Sequence, residues 1–87
     1  LPAGGYPDPM PAQPNQSLIN GIECLQAVVA AERPVGSREV ARLLGEEHTR
    51  VSRLLSTLAG IGLLEQNDRR KYLPGPGLHV LAAQSLH

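Results

Sequence analysis

Between His48 and Leu58 the chain reads HTRVSRLLSTL, and its aliphatic residues Val51, Leu54, Leu55 and Leu58 fall on one stripe of a helix. The opposite face carries Thr49, Ser52, Arg53 and Ser56, with Arg50 and Thr57 at its edges. No acidic residue occurs between His48 and Leu64. A solvated face ordinarily mixes both signs of charge on long side chains; this one is short, rich in hydroxyls and purely cationic. Upstream, SLINGIECLQAVVAAERP predicts a first helix capped by Ser17, with Leu18, Ile22, Leu25 and Val29 as its inward stripe and Ile19 and Val28 beside it. Pro34 stops that helix, because the residue before a proline is pushed out of helical dihedrals. GSREVARLLG predicts a short second helix, capped by Gly36 or Ser37, with Val40, Leu43 and Leu44 facing inward and Gly45 in the left-handed position at its end.

Only GEE separates this second helix from the HTRVSRLLSTL stretch. Glu47 is the expected N-cap of the third helix, since a carboxylate accepts from the orphan amides and suits the positive end of the dipole. Gly62 closes the helix. Two helices joined by so short a turn make a helix-turn-helix. After Gly62 the period shortens: LLEQ and KYL read as strands, and NDRR between them reads as a turn, giving a hairpin with Arg69, Arg70 and Lys71 at its tip. LPGPG then interrupts regular structure, and LHVLAAQSL predicts the start of a further helix. The expected fold is therefore mainly α, a winged helix-turn-helix over residues 17–75, with residues 76–87 beginning a linker helix.

Composition adds boundaries. The first sixteen residues hold five of the eight prolines and almost no branched apolar side chain, so residues 1–16 read as a disordered leader or an added segment. The chain of 87 residues does not open on Met, which suggests a processed product, and about seventy residues remain for one small domain. A core that small is marginal alone, which favours self-association. Net charge is zero, so nothing global points to a polyanion, but residues 48–73 carry five basic residues against two acidic ones. A lone cysteine, Cys24, excludes an internal disulfide framework and fits a reducing cytoplasm. No apolar run approaches the roughly 20 residues that span a bilayer, and no signal-peptide pattern is present.

A helix of this kind fits the major groove of B-DNA, where short hydroxyls admit the backbone closely and arginine pairs with guanine or phosphate. A cationic tip beside it can hold the neighbouring backbone or minor groove. The candidate DNA-binding residues are Ser37, Arg38, His48, Thr49, Arg50, Ser52, Arg53, Ser56, Arg69, Arg70 and Lys71. Other chemistry finds little support. His48, His79 and His87 lack the partners of a metal site, Cys24 reads as a packing residue, and Gly75 and Gly77 lack the strand and helix of a phosphate loop. Tyr6 and Tyr72, the only aromatics, are too few for base-stacking platforms. No cofactor, metal or catalytic triad is expected, and no enzyme.

From about Ser17 onward the sequence resembles the DNA-binding domain of IclR-type bacterial transcriptional regulators. RPVGSREVARLLG is similar to that family's proline-led second helix, with Glu39 and Ala41 in familiar places. RVSRLLSTLAGIGLLEQ is similar to its recognition helix and exit, including Arg53, Thr57 and Gly62, and RRKYLPGPGL resembles its wing. Glu46 and Glu47 stand where a Leu-Pro-like pair is usual, and Arg50 where threonine is common. The resemblance implies a transcription regulator that binds a pseudo-palindromic duplex as a homodimer, often with a separate effector-binding domain following the linker helix and outside this chain. Repression and activation remain equally open. A winged-helix protein-interaction module is the rival from another class, and a MarR- or ArsR-like DNA-binding regulator the nearer one.

Overall fold

The computed structural model describes residues 13–85, so most of the expected leader, residues 1–12, lies outside the described residues. Four helices and one hairpin follow in order: α1 (Gln16–Ala31), α2 (Ser37–Leu44), α3 (His48–Gly60), β1 (Leu64–Gln66), β2 (Tyr72–Pro74) and α4 (Pro76–Gln84). The strands pair antiparallel with Glu65 opposite Leu73. This is the winged helix-turn-helix that the sequence predicts.

The turn of the helix-turn-helix is built by its termini. Gly45 takes φ +66° at the end of α2, and the Glu46 amide donates back to the Ala41 carbonyl, closing the last turn. Two residues later the Glu47 carboxylate accepts from the amides of Thr49 and Arg50 at 2.9 and 3.0 Å and starts α3. At the other end of α3, Gly62 takes φ +88° while its amide donates to Ala59 and that of Leu63 donates to Leu58, a Schellman arrangement.

The core is small and aliphatic: Cys24, Val28, Val35, Val40, Val51, Leu55 and Leu64 are almost wholly buried, with Ala41, Leu58 and Tyr72 close behind. Each fully buried aliphatic side chain contributes about 1.5–3 kcal/mol relative to exposure. Val51, Leu55 and Leu58 come from the stripe expected of α3, and Leu54 packs against them half-buried. Val35 and Tyr72 exchange two backbone hydrogen bonds of 2.9 and 2.6 Å, which stitch the α1–α2 connection to the second wing strand. That bridge puts Tyr72 in the core.

Three expectations are corrected. The cap of α1 is Asn15, whose Oδ1 accepts from the Leu18 amide at 3.0 Å; Ser17 lies inside the first turn. Asn and Ser cap equally well, and the upstream one is used. The stripe Leu18, Ile22, Leu25 and Val29 does not face the core. Leu18 is 63% exposed, Ile22 43% and Val29 42%, Leu25 is half-buried, and the inward residues are Asn20, Gly21, Cys24 and Val28. Small residues let α1 lie close to its neighbours: a Cβ on Gly21 would already sit 3.8 Å from Leu54 Cδ2. In α2, Leu43 is 65% exposed and Ala41 takes its place inside, because eight residues present only one stripe, Val40–Ala41–Leu44.

The hairpin runs into α4 through an unusually tight joint. The amide of Gly75 donates to the Leu63 carbonyl and that of Gly77 to the Gly62 carbonyl, at 3.0 and 2.8 Å. A Cβ on Gly75 would stand 2.5 Å from the Gly62 oxygen, and one on Gly77 2.7 Å from it. Both glycines are there because backbone meets backbone, and Pro76 fits the first turn, where its missing amide costs nothing. Among the described residues no helix is long and apolar enough to cross a membrane, and no group of three or more His, Cys, Asp or Glu is placed to hold a metal ion.

Candidate nucleic-acid interface

The outward side of α3 is open. Thr49, Arg50, Arg53, Ser56 and Thr57 are exposed and Ser52 is half-buried, while no large hydrophobic residue of α3 is exposed. The Thr57 hydroxyl turns back to donate to the Arg53 carbonyl at 2.8 Å, so it is partly satisfied within the helix. Arg50 reaches back one turn, its Nη1 3.3 Å from Glu46 Oε1. The two acids of the turn, Glu46 and Glu47, thus have local work. Glu47 caps α3, and the backbone amides of Thr49 and then Arg50 hold its carboxyl below the ordinary carboxylate range.

Ser37 and His48 open α2 and α3 respectively, and the structure joins them: Ser37 Oγ and His48 Nε2 are 2.9 Å apart and partly buried. The contact pins the two helix N-termini together and leaves His48 engaged with the protein itself. Arg38, the next residue of α2, is exposed.

Arg69, Arg70 and Lys71 are exposed on the hairpin tip. Asn67 organises that tip. Its Oδ1 accepts from the amides of Arg69 and Lys71 at 2.9 and 3.0 Å, and its carbonyl accepts from the Arg70 amide. Arg70 consequently sits at φ +62°, a left-handed position usually filled by glycine or asparagine. Lys71 points its field elsewhere as well. The Glu39 carboxyl is held low first by its hydrogen bond to Arg33, with Lys71 and Arg42 adding smaller attractions.

Sequence reasoning missed the first turn of α1. Gln16, Ser17 and Asn20 line an open groove of about 600 Å³ together with Thr49, Arg50 and Arg53 of α3. The signal was present only as polar residues at the start of an otherwise apolar helix.

Three packed helices, a two-stranded wing and a cationic, hydroxyl-bearing face on the third helix define a winged helix-turn-helix domain. The chain belongs to the IclR helix-turn-helix domain family, whose model matches residues 17–68. Among solved structures it is similar to an IclR family transcriptional regulator from Brucella abortus, at TM-score 0.79 and 28% identity over 94% of this chain and 32% of that one. An IclR-type transcriptional regulator from Alicyclobacillus acidocaldarius gives TM-score 0.76 and 25% identity over 84% of this chain and 30% of that one. The IclR of Thermotoga maritima, 20% identical, shares the fold at TM-score 0.73 over 82% of this chain and 29% of that one. The chain therefore spans about a third of the length of these regulators. Comparison with curated protein sequences returned no significant match.

Proposed function

We propose that this chain is the DNA-binding part of a transcription regulator, recognising a specific double-stranded sequence with α3 in the major groove and the wing tip on the backbone or minor groove. One observation carries the reading: the whole outward face of α3 is cationic and hydroxyl-bearing, with no acid and no exposed large apolar side chain among its described residues. Thr49, Arg53 and Ser56 face the bases. Arg38 and the tip residues Arg69, Arg70 and Lys71 meet phosphates, and Ser37, His48 and Ser52 shape the helix-turn-helix edge. Family membership supports regulation and not catalysis.

The finer reading is a homodimer in the cytoplasm, with α4 opening a linker toward an effector-binding domain outside this chain. Support for the dimer is the outward stripe Leu18–Ile22–Val29, continued by an apolar groove of about 530 Å³ that Leu25 and Val29 share with Leu78 and Ala82 of α4. A two-fold dimer places two recognition helices about 34–36 Å apart, or a multiple of that, and selects a pseudo-palindrome.

The test is fluorescence anisotropy on a duplex enriched by binding selection. Arg53→Ala is expected to weaken binding to the selected duplex by about 1–3 kcal/mol and to relax its sequence preference. Replacing Arg69, Arg70 and Lys71 together by Ala should weaken all duplexes and flatten log K against log salt by about 0.9 per lost phosphate contact. Unchanged affinity and salt dependence in both variants would pass the surface to a protein partner.

A further inference from the structure

Resting on the DNA-binding reading, we infer that the groove between the first turn of α1 and the edge of α3 is a seat for one backbone phosphate, and that Arg50 serves this seat and not base readout. The groove is walled by Gln16, Ser17 and Asn20 on one side and by Thr49, Arg50 and Arg53 on the other. Its chemistry is that of an anion site. Two guanidinium groups and three hydroxyls line it, that of Thr57 already donating to the Arg53 carbonyl, and the one carboxylate among its lining residues, Glu47, already accepts two amide hydrogen bonds.

Asn20 is the telling side chain. It is buried to 5% exposure, the only buried polar residue among those described, and it lines the groove. Its Oδ1 accepts from Gln16 Nε2 at 2.9 Å, which fixes the amide so that the nitrogen is left over as a donor. That nitrogen donates to nothing among the described residues and is not sealed from solvent, and the groove that Asn20 lines is the space open to it. A buried amide held by one oxygen contact with its donor end unspent is expected to meet an acceptor.

Helix geometry separates the two arginines. Arg53 lies with Thr49 and Ser56 at the centre of the outward face, whereas Arg50 lies with Thr57 at the edge turned toward α1. Glu46 holds Arg50 at that edge through an exposed pair, weak enough to be exchanged for a phosphate oxygen. Seating α3 in a major groove brings one flanking strand of the duplex past this edge. There a phosphate takes the Arg50 guanidinium, the Ser17 hydroxyl and the Asn20 amide together, which sets how deeply and at what tilt α3 enters.

The experiment replaces the phosphates of the selected duplex one at a time by neutral methylphosphonate linkages, and measures affinity for the full chain and for Ser17→Ala and Arg50→Ala. Both altered residues are exposed, so the fold survives. At one linkage per half-site the unaltered chain is expected to lose affinity severalfold, and both variants to lose nothing further there. Arg50→Ala should also flatten the salt slope by about 0.9 while leaving sequence preference as it was. If both variants keep the full penalty at every linkage, or Arg50→Ala relaxes sequence preference, the seat is overturned while DNA binding stands. If inorganic phosphate alone saturates the groove by calorimetry and Ser17→Ala abolishes the heat, a free anion and not DNA is its ligand. If no duplex binds the unaltered chain, the parent reading falls and the seat falls with it.

Discussion

α1 and α3 are both helices with large aliphatic residues at helical spacing, yet they use those residues in opposite ways. α3 turns Val51, Leu55 and Leu58 inward and keeps a polar face for solvent. α1 turns Gly21, Cys24 and Val28 inward and leaves Leu18, Ile22 and Val29 outside. The difference lies in how much of each circumference is apolar. In α3 the aliphatic arc is single and bounded by arginines and hydroxyls, so only one phase removes it from water. In α1 the arc is so wide that either half can be buried, and close packing chooses the smaller residues. Apolar periodicity identifies a face; the size of its residues decides which part of a wide face the neighbours accept.

The comparison breaks most visibly at Leu55. Leu55→Ala leaves a void in the fully buried centre and should cost about 2–5 kcal/mol in urea unfolding, enough to unfold much of a domain this small. Ile22→Ala on α1 should stay within about 0.5 kcal/mol when measured on dilute protein. Comparable losses at the two positions would mean that the outer stripe of α1 is core after all.

Next in size is the joint after the wing. Gly75→Ala drives a methyl into the Gly62 and Leu64 carbonyls, and about 1–3 kcal/mol of stability should go, with broadened resonances for α4 in an NMR spectrum. Gly36→Ala, where a Cβ meets nothing within 4 Å, is the control and should be nearly silent.

The outer face of α1 is sharpened by charge. Ile22→Glu should leave the monomer folded but raise the dimer dissociation constant at least roughly tenfold, about 1.4 kcal/mol, in sedimentation equilibrium. The same variant should select a single half-site from random duplexes. A chain that is monomeric before the substitution and still selects a repeated site would refute α1 as the dimer face.

Much of this was legible in the residues. The helix-turn-helix announces itself because Gly45, Glu47 and the 51–55–58 stripe admit one arrangement, and the hairpin because NDRR separates two short apolar runs. Leu43 and the phase of α1 were misjudged for one shared reason: an aliphatic residue beside a stripe looks like part of it until the partner helix is known. The bridge between Val35 and Tyr72 joins segments far apart in sequence through backbone atoms, which leave no side-chain signature. Gly75 and Gly77 read as breakers, since a glycine chosen for close approach is indistinguishable in sequence from one chosen for a turn. For the proposed interface, the exposure of the α3 and tip residues follows from the sequence pattern, whereas the groove that Gln16, Ser17 and Asn20 line exists only because α1 crosses the edge of α3.

The wing tip offers a smaller contrast with α3, because one of its cations is held at a conformational cost. Arg70→Gly should relieve the left-handed backbone and raise stability by about 1 kcal/mol, while weakening binding to every duplex. A gain in stability with unchanged binding would make Arg70 a bystander.

The smallest effect is expected from pH. Glu47 has a folded value below its ordinary 4.5, so its capping of α3 is fully present above that value and fades as pH falls through the lowered folded value. Thermal unfolding of Glu47→Gln should therefore show a shallower loss of stability on acidification than the unaltered chain. Parallel curves would show that the carboxylate contributes nothing beyond what an amide can.

The joint at Gly75 and Gly77 also has a mechanical meaning. The Gly62 carbonyl that receives α4 belongs to the residue that terminates α3, so the two helices are coupled through main-chain atoms with no side chain between them to give way. Over its nine residues α4 forms an arm of roughly 13 Å, at about 1.5 Å per residue. A twist applied at the far end of such an arm meets the end of α3 through two main-chain hydrogen bonds, Gly75 to Leu63 and Gly77 to Gly62. A change in the direction of α4 is therefore passed, backbone to backbone, to the residue that ends α3.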